Sequence, residues 1–159
     1  MELRDYQEEA VNAINEEIIQ DDKCLVKMFC GTGKSLIMRK IIDEDANLTV
    51  FVLPWLNLID QFKTSYFNDD DDTQPDRFMI ISSDGDGITD ADQIRAFLAG
   101  DNPKIILITY QSFSTLLDVL DYKIDLCVFD EAHHAVGETY QKLIFDNDVC
   151  EKQVFMTAT

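Results

Sequence analysis

Positive charge is what this sequence has least of. Thirteen lysines and arginines stand against 31 aspartates and glutamates, a formal net charge of −18. Affinity for phosphate backbones draws largely on Lys and Arg, so charge alone argues against a nucleic-acid partner. No apolar run reaches the roughly 18–20 residues that cross a bilayer, and no membrane partner is expected. The start, Met1-Glu-Leu-Arg-Asp5, is polar and acidic and lacks the features of a signal peptide. The four cysteines (Cys24, Cys30, Cys127, Cys150) show no C-x-x-C spacing. They sit mostly in apolar runs and read as buried free thiols in a reducing compartment rather than as metal ligands. The expected location is therefore intracellular, in cytoplasm, nucleus or nucleoid. Internal repeats and long linkers are absent, and no low-complexity segment exceeds the run Asp69-Asp-Asp-Asp72. That run and the stretch holding Asp84, Asp86, Asp90 and Asp92 read as solvated loops. Asp84-Gly-Asp-Gly-Ile88 lacks the full calcium loop with its closing glutamate.

What is present is a regular alternation of element types. The length of 159 residues and a hydrophobic content of 46% fit one compact domain over residues 1–159. Residues 5–19 read as a helix with Tyr6, Ala10, Ala13, Ile14 and Ile18 near one face. Strand-like apolar runs recur at 25–29, 48–53, 78–81, 104–109, 125–129 and 153–156, with helical stretches near 34–44, 55–67, 90–99, 112–120 and 137–145. The strands are continuous apolar runs, the pattern of strands covered on both faces in a parallel sheet. Helix–strand alternation with crossover connections then predicts a three-layer α/β sandwich. Ligands on such sheets bind outside the carboxyl ends of the strands.

Two constellations fall at such ends. The first is Met28-Phe-Cys-Gly-Thr-Gly-Lys-Ser35, between a strand and a helix. That order aims backbone N–H groups and a helix N-terminus at one point, which makes an anion site. Gly31 and Gly33 let the backbone curl round phosphates, Lys34 would reach the β/γ-phosphates, and the Ser35 hydroxyl would hold Mg²⁺. The first glycine of the general P-loop spacing is replaced by Met28. The second constellation is Val128-Phe-Asp-Glu-Ala-His-His134, an apolar strand ending in two acids. Asp130 at the tip can coordinate Mg²⁺ through water, and Glu131 is placed to deprotonate the water that attacks the γ-phosphate. An Asp-Glu pair alone says little. Paired with Gly-x-Gly-Lys-Ser it points to ATP hydrolysis.

Asp130-Glu-Ala-His133 spells the DEAH box, and the chain resembles the first RecA-like lobe of superfamily 2 DEAD/DEAH-type helicases and translocases. The doubled histidine resembles the restriction-enzyme and DNA-repair branch, which tilts the expected track toward duplex DNA over RNA. Leu3-Arg-Asp-Tyr-Gln7 looks like the adenine-reading motif, which casts Gln7 as base reader and Arg4 as its neighbour. Gly31-Thr32-Gly33-Lys34-Ser35 matches motif I. Val52-Leu-Pro-Trp-Leu-Asn-Leu-Ile-Asp-Gln61 resembles motif Ia, which borders the nucleic-acid track, and Ile108-Thr-Tyr-Gln-Ser112 resembles a further strand-contacting motif. The resemblance thus implies nucleic-acid roles for Pro54, Trp55, Thr109 and Tyr110. Met156-Thr-Ala-Thr159 matches motif III, and with His133 it assigns coupling to a second lobe to His133, Thr157 and Thr159.

Trp55 stands where the family usually has a small polar residue; it could stack on a base, but its helical spacing favours a place in the core. His134 reads as an ordinary loop histidine, and zinc binding by the histidine pair lacks further ligands nearby. The family continues with a second lobe carrying an arginine finger and half of the nucleic-acid surface. The resemblance therefore implies that these residues are a fragment of a longer chain, nearly inactive alone. A nucleotide-binding regulatory or scaffold module without translocation is the alternative reading, and the acidic surface would suit a basic protein partner.

Overall fold

Six strands, β1 (Lys23–Lys27), β2 (Leu48–Leu53), β3 (Phe78–Ile81), β4 (Lys104–Thr109), β5 (Ile124–Phe129) and β6 (Cys150–Thr157), build one sheet in the computed structural model. The structure describes residues 2–67, 75–137, 141 and 149–158. The strand order is β1-β6-β5-β2-β4-β3, and every pairing is parallel. Among the described residues five α-helices accompany it: α1 (Asp5–Gln20), α2 (Lys34–Lys40), α3 (Leu56–Tyr66), α4 (Ala91–Leu98) and α5 (Phe113–Leu117).

Alternation along the strands divides the core in two. Val50, Val52, Ile106, Ile108, Cys127 and Phe129 pack with Ile94, Phe97 and Leu98 of α4 and Phe113 and Leu116 of α5. Their neighbours Phe51, Leu53, Ile105, Leu107, Leu126 and Val128 face the other way, onto Val11, Ile14 and Ile18 of α1, Ile37 and Met38 of α2, and Ile59 and Phe62 of α3. The expected three-layer parallel sandwich is the observed fold. All six positions of β2 and all six of β4 are buried, because these strands have neighbours on both sides and helices on both faces.

Several expectations need correction. β1 is an edge strand, and its residues alternate between exposed and half-buried, with Leu25 71% exposed. Its apolar sequence reads as a buried strand, yet one of its faces is left open. The buried face of α1 runs through Gln7, Val11, Ile14 and Ile18, while Tyr6 and Ala13 turn outward. α2 ends at Lys40 rather than near residue 44; Asp43, Glu44 and Asp45 follow, and acids oppose the negative end of a helix dipole. The helix expected over 112–120 is the shorter α5, ending at Leu117 and preceded by a 3₁₀ turn, Tyr110–Ser112. The helix expected at 137–145 and the run Asp69–Asp72 lie largely or wholly outside the described residues. Among the cysteines Cys127 and Cys150 are buried, Cys24 is half-buried and Cys30 is exposed. Burial, and then the neighbouring Cys150, push the Cys127 thiol well above its ordinary pKa. Among the described residues no helix is long and apolar enough to cross a membrane.

Phe51 is fully buried, with ring contacts to Phe62 at 5.1 Å and to Phe67 at 6.1 Å, both edge-on. Phe51→Ala is expected to cost about 3–5 kcal/mol in urea unfolding. Leu25→Ala on the open face of β1 should cost under about 0.5 kcal/mol. Similar losses in both variants would contradict this division of core and edge.

Candidate active site

Chemistry gathers where β1, β6 and β5 end side by side. After β1 the chain turns through Gly31 and Gly33, both left-handed at φ 80° and 83°. Gly31 has open space where a Cβ would sit, so its requirement is conformational only. Gly33 is constrained twice, since a Cβ there would collide with the side-chain amide nitrogen of Gln7. Its carbonyl accepts from Leu36 N at 3.0 Å and Ile37 N at 3.2 Å, starting α2. Lys34 and Ser35 therefore fall on the first turn of α2, at the mouth of the loop.

Gln7 is buried, and its amide is engaged at both ends. Arg4 N donates to Gln7 Oε1 at 3.0 Å, and Gln7 Nε2 donates to the Thr32 carbonyl at 2.9 Å. Tyr6 Oη donates to the same carbonyl at 3.0 Å. The start of α1 is thus latched to the glycine loop, and the second Nε2 hydrogen is the one available to a ligand. The Arg4 side chain is exposed. Thr32 Oγ1 closes the turn by donating to the Phe29 carbonyl at 2.7 Å.

The acidic pair lies opposite. Asp130 N donates to the Val52 carbonyl at 2.9 Å, which ties the tip of β5 to β2. Asp130 is buried, and its Oδ1 accepts from Glu131 N at 3.0 Å. Burial above all, and then the adjacent Glu131 charge, raise its pKa from the ordinary aspartate value. The Glu131 N–H, Lys34 and His133 pull the other way. Glu131 itself adopts φ 47° and ψ 57°, a left-handed conformation that costs a non-glycine residue about 1–3 kcal/mol. Its carboxylate is shared between two cations or would-be cations: Oε1 lies 3.3 Å from Lys34 Nζ and Oε2 lies 3.6 Å from His133 Nδ1. Among the described residues every Asp and Glu is exposed except Asp125, Asp130 and Glu131. Asp125 has a structural task, accepting Leu48 N at 2.8 Å. The other two are the acids of the site.

The remaining site residues divide clearly. Thr157 at the end of β6 is buried, and its carbonyl accepts from Met28 N at 3.0 Å, between the glycine loop and the acids. His133 is exposed; Thr159 lies outside the described residues. Thr109 and Tyr110 are buried: Thr109 Oγ1 donates to Ser112 Oγ at 3.2 Å, and Tyr110 Oη donates to the Asp130 carbonyl at 2.7 Å. Pro54 is half-buried. Trp55, expected in the core, is 60% exposed. It occupies the N-cap of α3 in an extended conformation, so it precedes the helix whose buried face begins at Ile59. Sequence reasoning passed over His134, whose ring touches three others, at 5.6 Å from Trp55, 5.9 Å from Tyr110 and 4.4 Å from His133. The doubled histidine was its only signal.

A glycine loop, a lysine and an acidic pair at adjoining strand ends define a P-loop nucleotide-binding lobe of the RecA-like kind. The chain belongs to the family described as Type III restriction enzyme, res subunit, whose match runs over residues 1–159. Among curated proteins it is 31% identical over 140 residues to the DNA 3'-5' translocase XPB2 of Sulfurisphaera tokodaii, covering 88% of this chain and 27% of that one. Among solved structures it resembles a nuclease-deletion mutant of the Type ISP restriction-modification enzyme LlaGI in complex with a DNA substrate mimic. That match has a TM-score of 0.79 and 24% identity, over 100% of this chain and 18% of that one. It also resembles the Hef helicase domain of Pyrococcus furiosus, with a TM-score of 0.74 and 22% identity, over 99% of this chain and 33% of that one. The chain thus spans about a third or less of the proteins it resembles.

The raised pKa of Asp130 has a measurable consequence. The folded state holds this proton to higher pH than the unfolded chain, so the associated stability is present in acid and lost as pH rises through the raised value. In metal-free buffer Asp130→Asn is expected to melt higher than wild type at neutral pH, with the gap closing as pH falls to the ordinary aspartate range. A gap independent of pH would contradict the burial of an ionisable carboxyl at this point.

Proposed function

We propose that this chain is the ATP-hydrolysing lobe of a DNA-dependent translocase or helicase, in which hydrolysis drives movement along duplex DNA. The observation that carries the reading is Lys34 and Asp130-Glu131 brought together across the sheet ends, with Lys34 Nζ 3.3 Å from Glu131 Oε1. Phosphoryl transfer needs a phosphate cradle, a metal site and a positioned nucleophile. Gly31, Thr32, Gly33 and Lys34 form the cradle, and Arg4 and Gln7 border it on the base side. Ser35 and Asp130 are the residues that would hold Mg²⁺. A buried carboxylate beside a second acid, with one lysine against the second, is a donor set that favours a divalent cation. Among the described residues no three His, Cys, Asp or Glu side chains cluster to hold a metal unaided. That suits Mg²⁺, which takes most of its ligands from phosphate and water. When bound, the ion neutralises charge on the β and γ oxygens. Lys34 binds the phosphates, and Glu131 accepts the proton of the attacking water.

Support for DNA as the track comes from the relatives, a DNA translocase and a restriction-modification enzyme in complex with a DNA substrate mimic. Pro54 and Trp55 would meet that track directly, and Thr109 and Tyr110 would support it from beneath. His133, Thr157 and Thr159 would couple the site to a second RecA-like lobe. That lobe would supply an arginine finger worth ~10³–10⁵ in rate, so this lobe alone should turn over very slowly.

ATP turnover by the full-length protein, alone and with duplex DNA, single-stranded DNA or RNA, tests the reading. Strong stimulation by duplex DNA is expected; none by any nucleic acid, with Mg-ADP binding intact, would replace the motor by a regulatory module. Lys34→Ala should abolish Mg-ADP binding. Glu131→Gln should bind Mg-ADP at least as well as wild type while stimulated turnover falls about 10²–10⁴-fold. Equal turnover in wild type and Glu131→Gln would remove Glu131 from its role.

A further inference from the structure

Trp55 is the sole tryptophan of the chain and lies 60% exposed at the end of β2, although a ring of that size gains most from burial. Its ring meets that of His134 in a T-shaped contact, with centroids 5.6 Å apart and planes at 83°. From His134 the contacts run on in two directions, and both end at the acidic pair. One passes through the His133 ring, 4.4 Å away, whose Nδ1 is 3.6 Å from Glu131 Oε2. The other passes through the Tyr110 ring, 5.9 Å away, whose hydroxyl donates to the Asp130 carbonyl at 2.7 Å. The backbone adds a third link, His134 N to the Glu131 carbonyl at 2.9 Å. The exposed ring of Trp55 is thus joined to the Glu131 carboxylate through His134 and His133, and to the backbone of Asp130 and Glu131 by the other two links.

We propose that His134 is a positioning residue that transmits occupancy of Trp55 by DNA to Glu131. This rests on the function proposed above. When Lys34 turns to phosphate, His133 is the side chain left beside Glu131 Oε2, and the His133 ring is held in turn by His134. A sugar or base pressed on the outer face of Trp55 moves the ring against which His134 packs. The shift passes through His133 to the group that must orient water. Glu131 is a suitable receiver, because its left-handed backbone depends on surrounding contacts to persist.

The test separates contact from transmission, using full-length protein, duplex DNA and steady-state ATP turnover. His134→Ala is expected to lower the maximal DNA-stimulated rate about threefold to tenfold, the scale of one aromatic contact. The DNA concentration giving half-maximal stimulation should stay put, since His134 lies behind Trp55. Trp55→Ala should lower the same maximum and also raise the half-maximal concentration, and Trp55→Phe should restore much of both. The double variant should lose no more of the maximum than the worse single one, because the two residues act in series. A wild-type maximum in His134→Ala, or multiplicative losses in the double variant, would overturn the proposal. Should His134→Ala fail to bind Mg-ADP for want of folding, His134→Phe decides: a retained maximum supports ring contact, and a lost one overturns it. Wild-type protein that no nucleic acid stimulates would overturn the functional reading and the link together. Stimulated wild type with an unaffected His134 variant would overturn the link alone.

Discussion

Two carboxylates and one ammonium group share a small space at the ends of β5 and β1 because the sheet leaves charge few other places to go. Helices cover both faces of the inner strands, so their interior positions are predominantly apolar, and buried polar side chains such as Thr49 and Gln153 are few there. Polar chemistry is pushed to the loops beyond the strand tips, and a parallel sheet brings all the carboxyl ends to one side. Lys34 and Glu131, 97 residues apart in sequence, meet for this reason. The glycine loop, the Gln7 latch and the tie from Asp130 N to Val52 are the local devices that hold the meeting point in register.

The sequence revealed most where a strand has neighbours on every side. β2 and β4 are six-residue runs that are mostly apolar, with Thr49 inside β2 and Lys104 and Thr109 at the two ends of β4, and their ends were legible to the residue. It misled where burial depends on what lies next to an element rather than on the element itself. Leu25 and Val26 read alike, but only an edge position explains why one is exposed and the other half-buried. Trp55 misled for a related reason. Helical spacing from Ile59 and Phe62 suggests a shared face, but Trp55 is the cap that precedes the helix and follows no such periodicity. The glycine loop and acidic pair were legible because backbone curvature and metal chemistry demand particular residues at particular spacings. His134 was not, because the two ring contacts that tie it to distant segments, Trp55 and Tyr110, leave no local pattern.

Acidity bears on this lobe in two separate ways. Among the described residues all acids but three are exposed, so most of the −18 charge is spread over the solvated surface. There it raises solubility and slows approach of a polyanion without altering the fold. Inside the site the same chemistry is concentrated. Burial raises the pKa of Asp130, Glu131 adds like charge, and Lys34 and His133 offset part of it. A lobe of this composition would gain from a nucleotide whose metal neutralised the pair, and would lose from an unscreened phosphate backbone passing over its acidic faces.

That conflict bears on how such a lobe would hold the DNA track proposed for it. Cation–phosphate pairing is the usual source of affinity, and its strength follows the number of Lys and Arg at the contact. Around Pro54 and Trp55 the exposed side chains are Trp55, Asn57, Asp60 and Gln61, with no lysine or arginine among residues 54–62. An aromatic face is the alternative, because stacking is worth about 1–3 kcal/mol per base and needs no charge on the protein. An exposed tryptophan where the family usually carries a small polar residue is then a physical answer to an acidic surface. Under the proposed function, its contact with His134 would join that answer to Asp130 and Glu131, so that on a lobe short of positive charge the grip on the track and its readout would fall to the same ring.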